Sequence, residues 1–122
     1  MIELIVVITI IMVITAIGTV SFSGANKKAR DGKRLADLER IRMALEVARQ
    51  VGTSYPVDAS TVLVSSGYLT QWPVGPSLDT YLYERSTNYT YDLYARLEVE
   101  PTNVPDYSSC GTGACNYKVT QP

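Results

Sequence analysis

Few side chains in this sequence could do chemistry, and the most telling is Glu3, a lone carboxylate near the start of an apolar run from Met1 to Val20. Desolvating a carboxylate at the end of a hydrocarbon-length helix is expensive, so Glu3 reads as a snorkelling group at a membrane rim or as a group awaiting a cationic partner. Cys110 and Cys115 are separated by Gly-Thr-Gly-Ala. An even cysteine count in a small, membrane-inserted chain favours a disulfide closing a short loop in an oxidising compartment. A metal site there would need two further ligands, and the sequence contains no histidine. The same lack removes most acid-base and nucleophilic machinery, no phosphate-cradling loop is present, and neither catalytic, cofactor-binding nor metal-ligating residues are expected. Weaker signals are the sequon Asn88-Tyr89-Thr90, the acids Glu98, Glu100 and Asp106 as oxygen donors for calcium, and nine tyrosines. The sequon is short enough to arise by chance. No spacing enforces calcium binding, so solvated acids are the simpler reading. Tyrosine packs well in strands without any role in stacking on nucleic acid.

The element that must position Glu3 is the run behind it. Leu4 to Val20 is seventeen residues without a charge, and with Met1, Ile2 and Phe22 it matches the roughly 20 residues that span a bilayer. A cleavable signal peptide would carry a basic segment before its core, whereas the first basic residue here is Lys27 and the pattern beyond stays helical. The segment is therefore expected to be retained. Ile, Val and Thr dominate it, and Gly18, Ser21, Ser23 and Gly24 lower helix propensity toward its end. A bilayer enforces helix regardless. Outside lipid, residues around Ile14 to Val20 are expected to melt, with Gly18 and the β-branched run as the local cause.

From Ala25 to about Val51 the sequence predicts a charged helix continuous with the apolar one, ended by Gly52. At about 100° per residue, Leu38, Ile41, Leu45 and Ala48 form one stripe with Leu35 at its edge, and Ala29, Ala36, Met43 and Val47 form another on nearly the opposite side. Two apolar faces imply two surfaces to bury against, unless the smaller one tolerates solvent. Charge is also segregated. Eight of the eleven bases lie between Lys27 and Arg49 against four acids, while the chain from Val51 onward has three bases and seven acids. These segments can pack on each other or on neighbouring copies.

Beyond Tyr55-Pro56, Asp58 is a candidate N-cap for a short helix through about Ser65, stopped by Gly67. Trp72 to Pro76 reads as a rigid turn region. Tyr89 to Glu100 has period two, with Tyr89, Tyr91, Leu93, Ala95, Leu97 and Val99 on one face and Asp92, Arg96, Glu98 and Glu100 on a wet one. Thr80 to Arg85 is its expected antiparallel partner through a turn at Ser86 to Asn88, and Asn116 to Thr120 a third strand. The predicted fold is α+β, a long N-terminal helix laid on a small antiparallel sheet. Residues 1–24 would be the apolar membrane-length helix and 25–122 the head, with its helix at about 25–51, a loop and short helix at 52–78, and the sheet with its cysteine loop at 79–122.

The stretch Ile2-Glu3-Leu4-Ile5-Val6-Val7-Ile8 resembles the processed N terminus of type IV pilins and type II secretion pseudopilins, which begin Phe-Thr-Leu-Ile-Glu. The order of elements is similar along the whole chain, including the segment Gly67-Tyr68-Leu69 followed by Trp72-Pro73 and Pro76. Two departures stand out. Met1 falls two positions before Glu3, so the aromatic first residue and its threonine are absent and the chain is expected to start late. Val20 occupies a place where many members have a helix-breaking proline. The resemblance implies a structural subunit of an extracellular filament, bundled through Ile2 to Ile8 and the helix behind them, with Glu3 neutralising the terminal ammonium of a neighbouring subunit. It implies identical subunits as partners, an inner-membrane pool before assembly, a prepilin peptidase and an assembly machinery. A pseudopilin of a secretion or DNA-uptake apparatus fits the same pattern, and a monomeric single-pass anchor with a binding head is the reading of another class.

Overall fold

The computed structural model describes residues 1–99 and 103–122. One helix dominates it. α1 runs unbroken over Ile2–Gly52, 51 residues, which at 1.5 Å per residue is about 77 Å. It passes through Gly18 without interruption. Its C-terminus differs in detail from expectation: Gly52 is the last helical residue, and the left-handed cap is Thr53 at φ 64°, whose N–H donates to the Arg49 carbonyl at 2.8 Å.

The predicted short helix is present as α2, Ala59–Ser65, capped by the Asp58 carboxylate, which accepts from the Thr61 N–H at 3.2 Å. A single 3₁₀ turn at Pro76–Leu78 leads into the sheet. Strands β1 (Leu82–Thr87), β2 (Thr90–Ala95) and β5 (Tyr117–Thr120) form an antiparallel sheet in the order β1-β2-β5. Leu93 stands between Tyr83 and Val119 in its register. β3 (Tyr107–Ser109) and β4 (Ala114–Cys115) pair as a separate two-stranded ribbon across the cysteine loop. That ribbon had no strand-like alternation to announce it.

The core forms where the helix stripe meets the sheet. Leu38, Ile41, Leu45 and Ala48 pack with Tyr55, Ala59, Leu63, Tyr81, Tyr91, Leu93 and Ala95, with Trp72, Tyr68 and Leu69 at the margin. Each large side chain so buried is worth roughly 1.5–3 kcal/mol in the transfer of its apolar surface from water. The opposite stripe of Ala29, Ala36, Met43 and Val47 is exposed.

Three expectations for the central strand need correction. The strand ends at Ala95, well short of residue 100, because other groups take over its backbone. The Asn116 carboxamide binds both the N–H and the C=O of Leu97, at 2.7 and 2.9 Å, and the N–H groups of Glu98 and Val99 donate to Asp31 on α1. Glu100, assigned to the same strand, lies outside the described residues. The supposedly wet face is also partly covered. Tyr94 is buried against Cys110 and Cys115 and stacks on Tyr107, with ring centroids 4.7 Å apart. Tyr89 sits in the hairpin turn rather than in the strand.

Cys110 and Cys115 form a disulfide. Gly111, inside that loop, has φ 89°, and a Cβ there would lie 2.8 Å from the Leu78 carbonyl oxygen. The position needs glycine on both counts.

Candidate assembly surface

The helix emerges from the head at Asp31, its first buried residue, and every residue before Arg30 is exposed. No part of the apolar stretch is covered by the chain itself. Ile2, Leu4, Ile5, Val6, Val7 and Ile8 all stand open, as do Ile10, Ile11, Val13, Ile14, Ile17, Val20 and Phe22. Soluble monomers rarely expose contiguous apolar patches of more than a few hundred Å², so a surface of this kind needs a cover of lipid or protein.

The polar groups within the stretch are arranged for such a cover. The Thr9 hydroxyl donates to the Val6 carbonyl at 2.8 Å, Thr15 to Ile11 at 2.7 Å and Thr19 to Ala16 at 3.1 Å. Each of these three threonine hydroxyls is therefore satisfied inside the helix, which removes the cost of leaving it an unpaired donor in an apolar medium. Glu3 is different. Its carboxylate is exposed, and Oε2 lies 3.2 Å from the Met1 nitrogen of the same chain. Gly18 has no heavy atom within 4 Å of the position a Cβ would take, so the helix presents a notch there.

Where the helix enters the head, sequence reasoning missed a buried ionic cluster. The guanidinium of Arg34, 1% exposed, donates to Asp31 at 2.7 Å, to Asp79 at 2.6 Å and to Glu98 at 3.0 Å. Burial works against the charge on Arg34, but the hydrogen bonds it donates to Asp79, Glu98 and Asp31 outweigh it and its pKa is raised. Arg30 grips Glu98 through two bonds, at 2.7 and 2.6 Å. Those bonds, with those from Arg34, hold the Glu98 carboxyl down to about 2 against the opposing effect of burial. Asp79 also accepts from the Thr112 hydroxyl, tying the disulfide loop to the cluster. One turn further, the Tyr81 hydroxyl donates to the buried Asp37 at 2.8 Å. The opposed charges of helix and head thus meet within one chain, and the loop at 96–99 is fastened over α1.

A signal for this cluster was present in the sequence. Asp31 and Arg34 continue the spacing of Leu38, Ile41, Leu45 and Ala48 by alternating steps of three and four, so charged residues occupy the buried stripe itself. Of the suggested calcium donors, Glu98 is committed to two guanidinium groups and Asp106 is exposed, while Glu100 lies outside the described residues. Among the described residues no three acidic, cysteine or histidine side chains gather as a metal site would require. The Asn88 sequon lies on the exposed hairpin turn. Comparison of the chain with protein-family models, with curated proteins and with solved structures gives no match.

Proposed function

We propose that this chain is a structural subunit that polymerises through its N-terminal apolar helix into an extracellular filament of the type IV pilus kind, after residence in the inner membrane. The observation that carries the reading is the uncovered half-helix from Ile2 to Phe22, joined without a break to the half of α1 that is packed in the head. A bilayer accounts for one cover of that surface. The exposed stripe of Ala29, Ala36, Met43 and Val47 continues the apolar character beyond the reach of lipid, and a bundle of identical helices covers both. In such a bundle Glu3 would neutralise a neighbour's terminal ammonium, since an unpaired buried charge costs several kcal/mol and so penalises every other register. Gly18 would supply the point at which the helix melts on leaving lipid. The reading involves no enzymatic activity and no cofactor.

Cryo-electron microscopy of sheared surface material, with Glu3→Ala as the variant, tests it. Filaments containing this chain are expected, and the variant should enter the membrane while yielding few of them. Undiminished filaments from Glu3→Ala would remove the role assigned to that carboxylate. Short periplasmic polymers without surface filaments would point to a pseudopilin instead. A chain that stays monomeric in membranes and in detergent, with no filaments on cells, would leave the single-pass anchor.

A further inference from the structure

Past the apolar run, α1 carries a group of cations before the head begins: Lys27, Lys28, Arg30, Lys33 and Arg34, with Asp31 the one acid among them. The fold uses them unequally. Arg30 and Arg34 are engaged by Glu98, Asp31 and Asp79, and Lys33 Nζ reaches the Val74 carbonyl at 3.4 Å. Lys27 and Lys28 are exposed and have no carboxylate partner among the described residues.

Their depth is set by the helix. At about 1.5 Å per residue, Lys27 stands about 7 to 8 Å beyond Phe22, and Arg30 about 12 Å beyond it. When the apolar run fills a hydrocarbon core of about 30 Å, the headgroup layer extends roughly 5 to 7 Å further on each side. The backbone of Lys27 and Lys28, about 7 to 9 Å beyond Phe22, therefore stands at the outer edge of that layer, from where the long side chains reach back to lipid phosphates, and Arg30, where the head is pinned on, stands clear of it. There is also room for a ligand. Gly24, Ala25, Lys27 and Lys28 line an open cleft of about 640 Å³ bordered by Glu98 and Val99. Nothing lies within 4 Å of the Cβ position at Gly24. The Glu98 carboxylate would repel an anion if it were free, but both its oxygens accept from Arg30, and one of them also from Arg34.

We infer that Lys27 and Lys28 dock the headgroups of anionic phospholipids in the leaflet beneath the head, holding the subunit at one depth in the membrane. The inference rests on the reading of Ile2 to Phe22 as bilayer-inserted before assembly. The site takes a phosphate carrying net charge, so phosphatidylglycerol binds and zwitterionic phosphatidylcholine does not compete.

The test places the full chain in phosphatidylcholine vesicles containing a trace of spin-labelled phosphatidylglycerol or spin-labelled phosphatidylcholine, and measures the motionally restricted fraction of each. The native chain should favour phosphatidylglycerol by about fivefold or more, the scale of one lysine near an anionic surface. Lys27→Gln with Lys28→Gln should bring the ratio close to unity, and so should molar salt, which cuts the screening length to about 3 Å. Lys118→Gln should leave it unchanged, because that lysine pairs with Asp92 on the sheet at 3.5 Å. Equal restriction of the two lipids by the native chain, or a ratio the double variant does not move, would overturn the inference while leaving the membrane reading intact. No restricted component for either lipid would instead show that the helix is not inserted, and the membrane reading would fall together with the inference.

Discussion

Replacing Arg34 by methionine keeps most of the aliphatic stem and removes the charge at the centre of the junction between helix and head. Three charge-assisted bonds disappear, to Asp31, Asp79 and Glu98. Their loss is partly cushioned. Asp31 keeps the N–H groups of Glu98 and Val99, Asp79 keeps the Thr112 hydroxyl, and Glu98 keeps Arg30. The dominant cost is the buried charge left on Asp79, itself 1% exposed. Removing one partner of a buried pair typically costs about 3–5 kcal/mol, and the remaining donors argue for the lower end, about 3 kcal/mol. With a urea slope of about 1.5 kcal/mol per molar, the midpoint should fall by about 2 M. Trp72, the single tryptophan, packs at the margin of the core and reports the transition by fluorescence for the full chain in non-ionic micelles. Adding Asp79→Asn should recover part of the loss, because the stranded carboxylate is then neutral, and the two changes should depart from additivity by about 1–2 kcal/mol. A midpoint shift below about 0.5 M for Arg34→Met, or strict additivity of the pair, would refute the argument that this cluster fixes the head to the helix.

Acid should loosen the same junction. The carboxyl of Glu98 is held at about 2 by Arg30 and Arg34, below its ordinary 4.5, so its contribution is present above about pH 5 and lost as pH falls toward 2. After allowance for solvent screening this amounts to about 1–2 kcal/mol, and it should vanish from the pH dependence of unfolding in Glu98→Gln. At the alkaline end, burial pushes Tyr83 up to about 12 and raises Tyr81 and Tyr91 as well, Tyr81 with help from its bond to Asp37. Stability from these phenols is present below their unfolded value of about 10 and is lost as pH rises through the folded ones. Ultraviolet titration should show Tyr81, Tyr83 and Tyr91 ionising only with unfolding; phenylalanine variants that leave the delayed fraction unchanged would contradict this. Gly111→Ala should cost about 2 kcal/mol or more by the same fluorescence assay, through its φ of 89° and its approach to Leu78. Gly67→Ala, at φ 77° in open space, should cost only about 1 kcal/mol.

Much of this architecture is legible along the chain because it depends on local periodicity. The unbroken apolar run before Lys27, the stripe through Leu38, Ile41, Leu45 and Ala48, the cap at Asp58, and the alternation through Tyr91, Leu93 and Ala95 each follow from the pitch of a helix or the pleat of a strand. The α+β class was expected on such grounds and the Cys110–Cys115 loop from the even cysteine count, and the helix does lie on a small antiparallel sheet with that disulfide formed. What the pattern could not supply were pairings between residues far apart in sequence. Arg34 meets Asp79 across 45 positions and Asp37 meets Tyr81 across 44. Asn116 ends the central strand by taking the backbone of Leu97.

The sequence by itself therefore determined α1 with its sidedness, the short helix α2 and the hairpin of the main sheet, since those arise from side-chain order within one turn or one strand. Tertiary structure alone decided which carboxylates of the head meet the charges on that stripe. That choice depends on the three-dimensional closure of the head over α1, where desolvation is tolerable only if guanidinium and carboxylate arrive together. It also decided that Lys27 and Lys28 stay exposed while Arg30 and Arg34, a turn away, are drawn into the head.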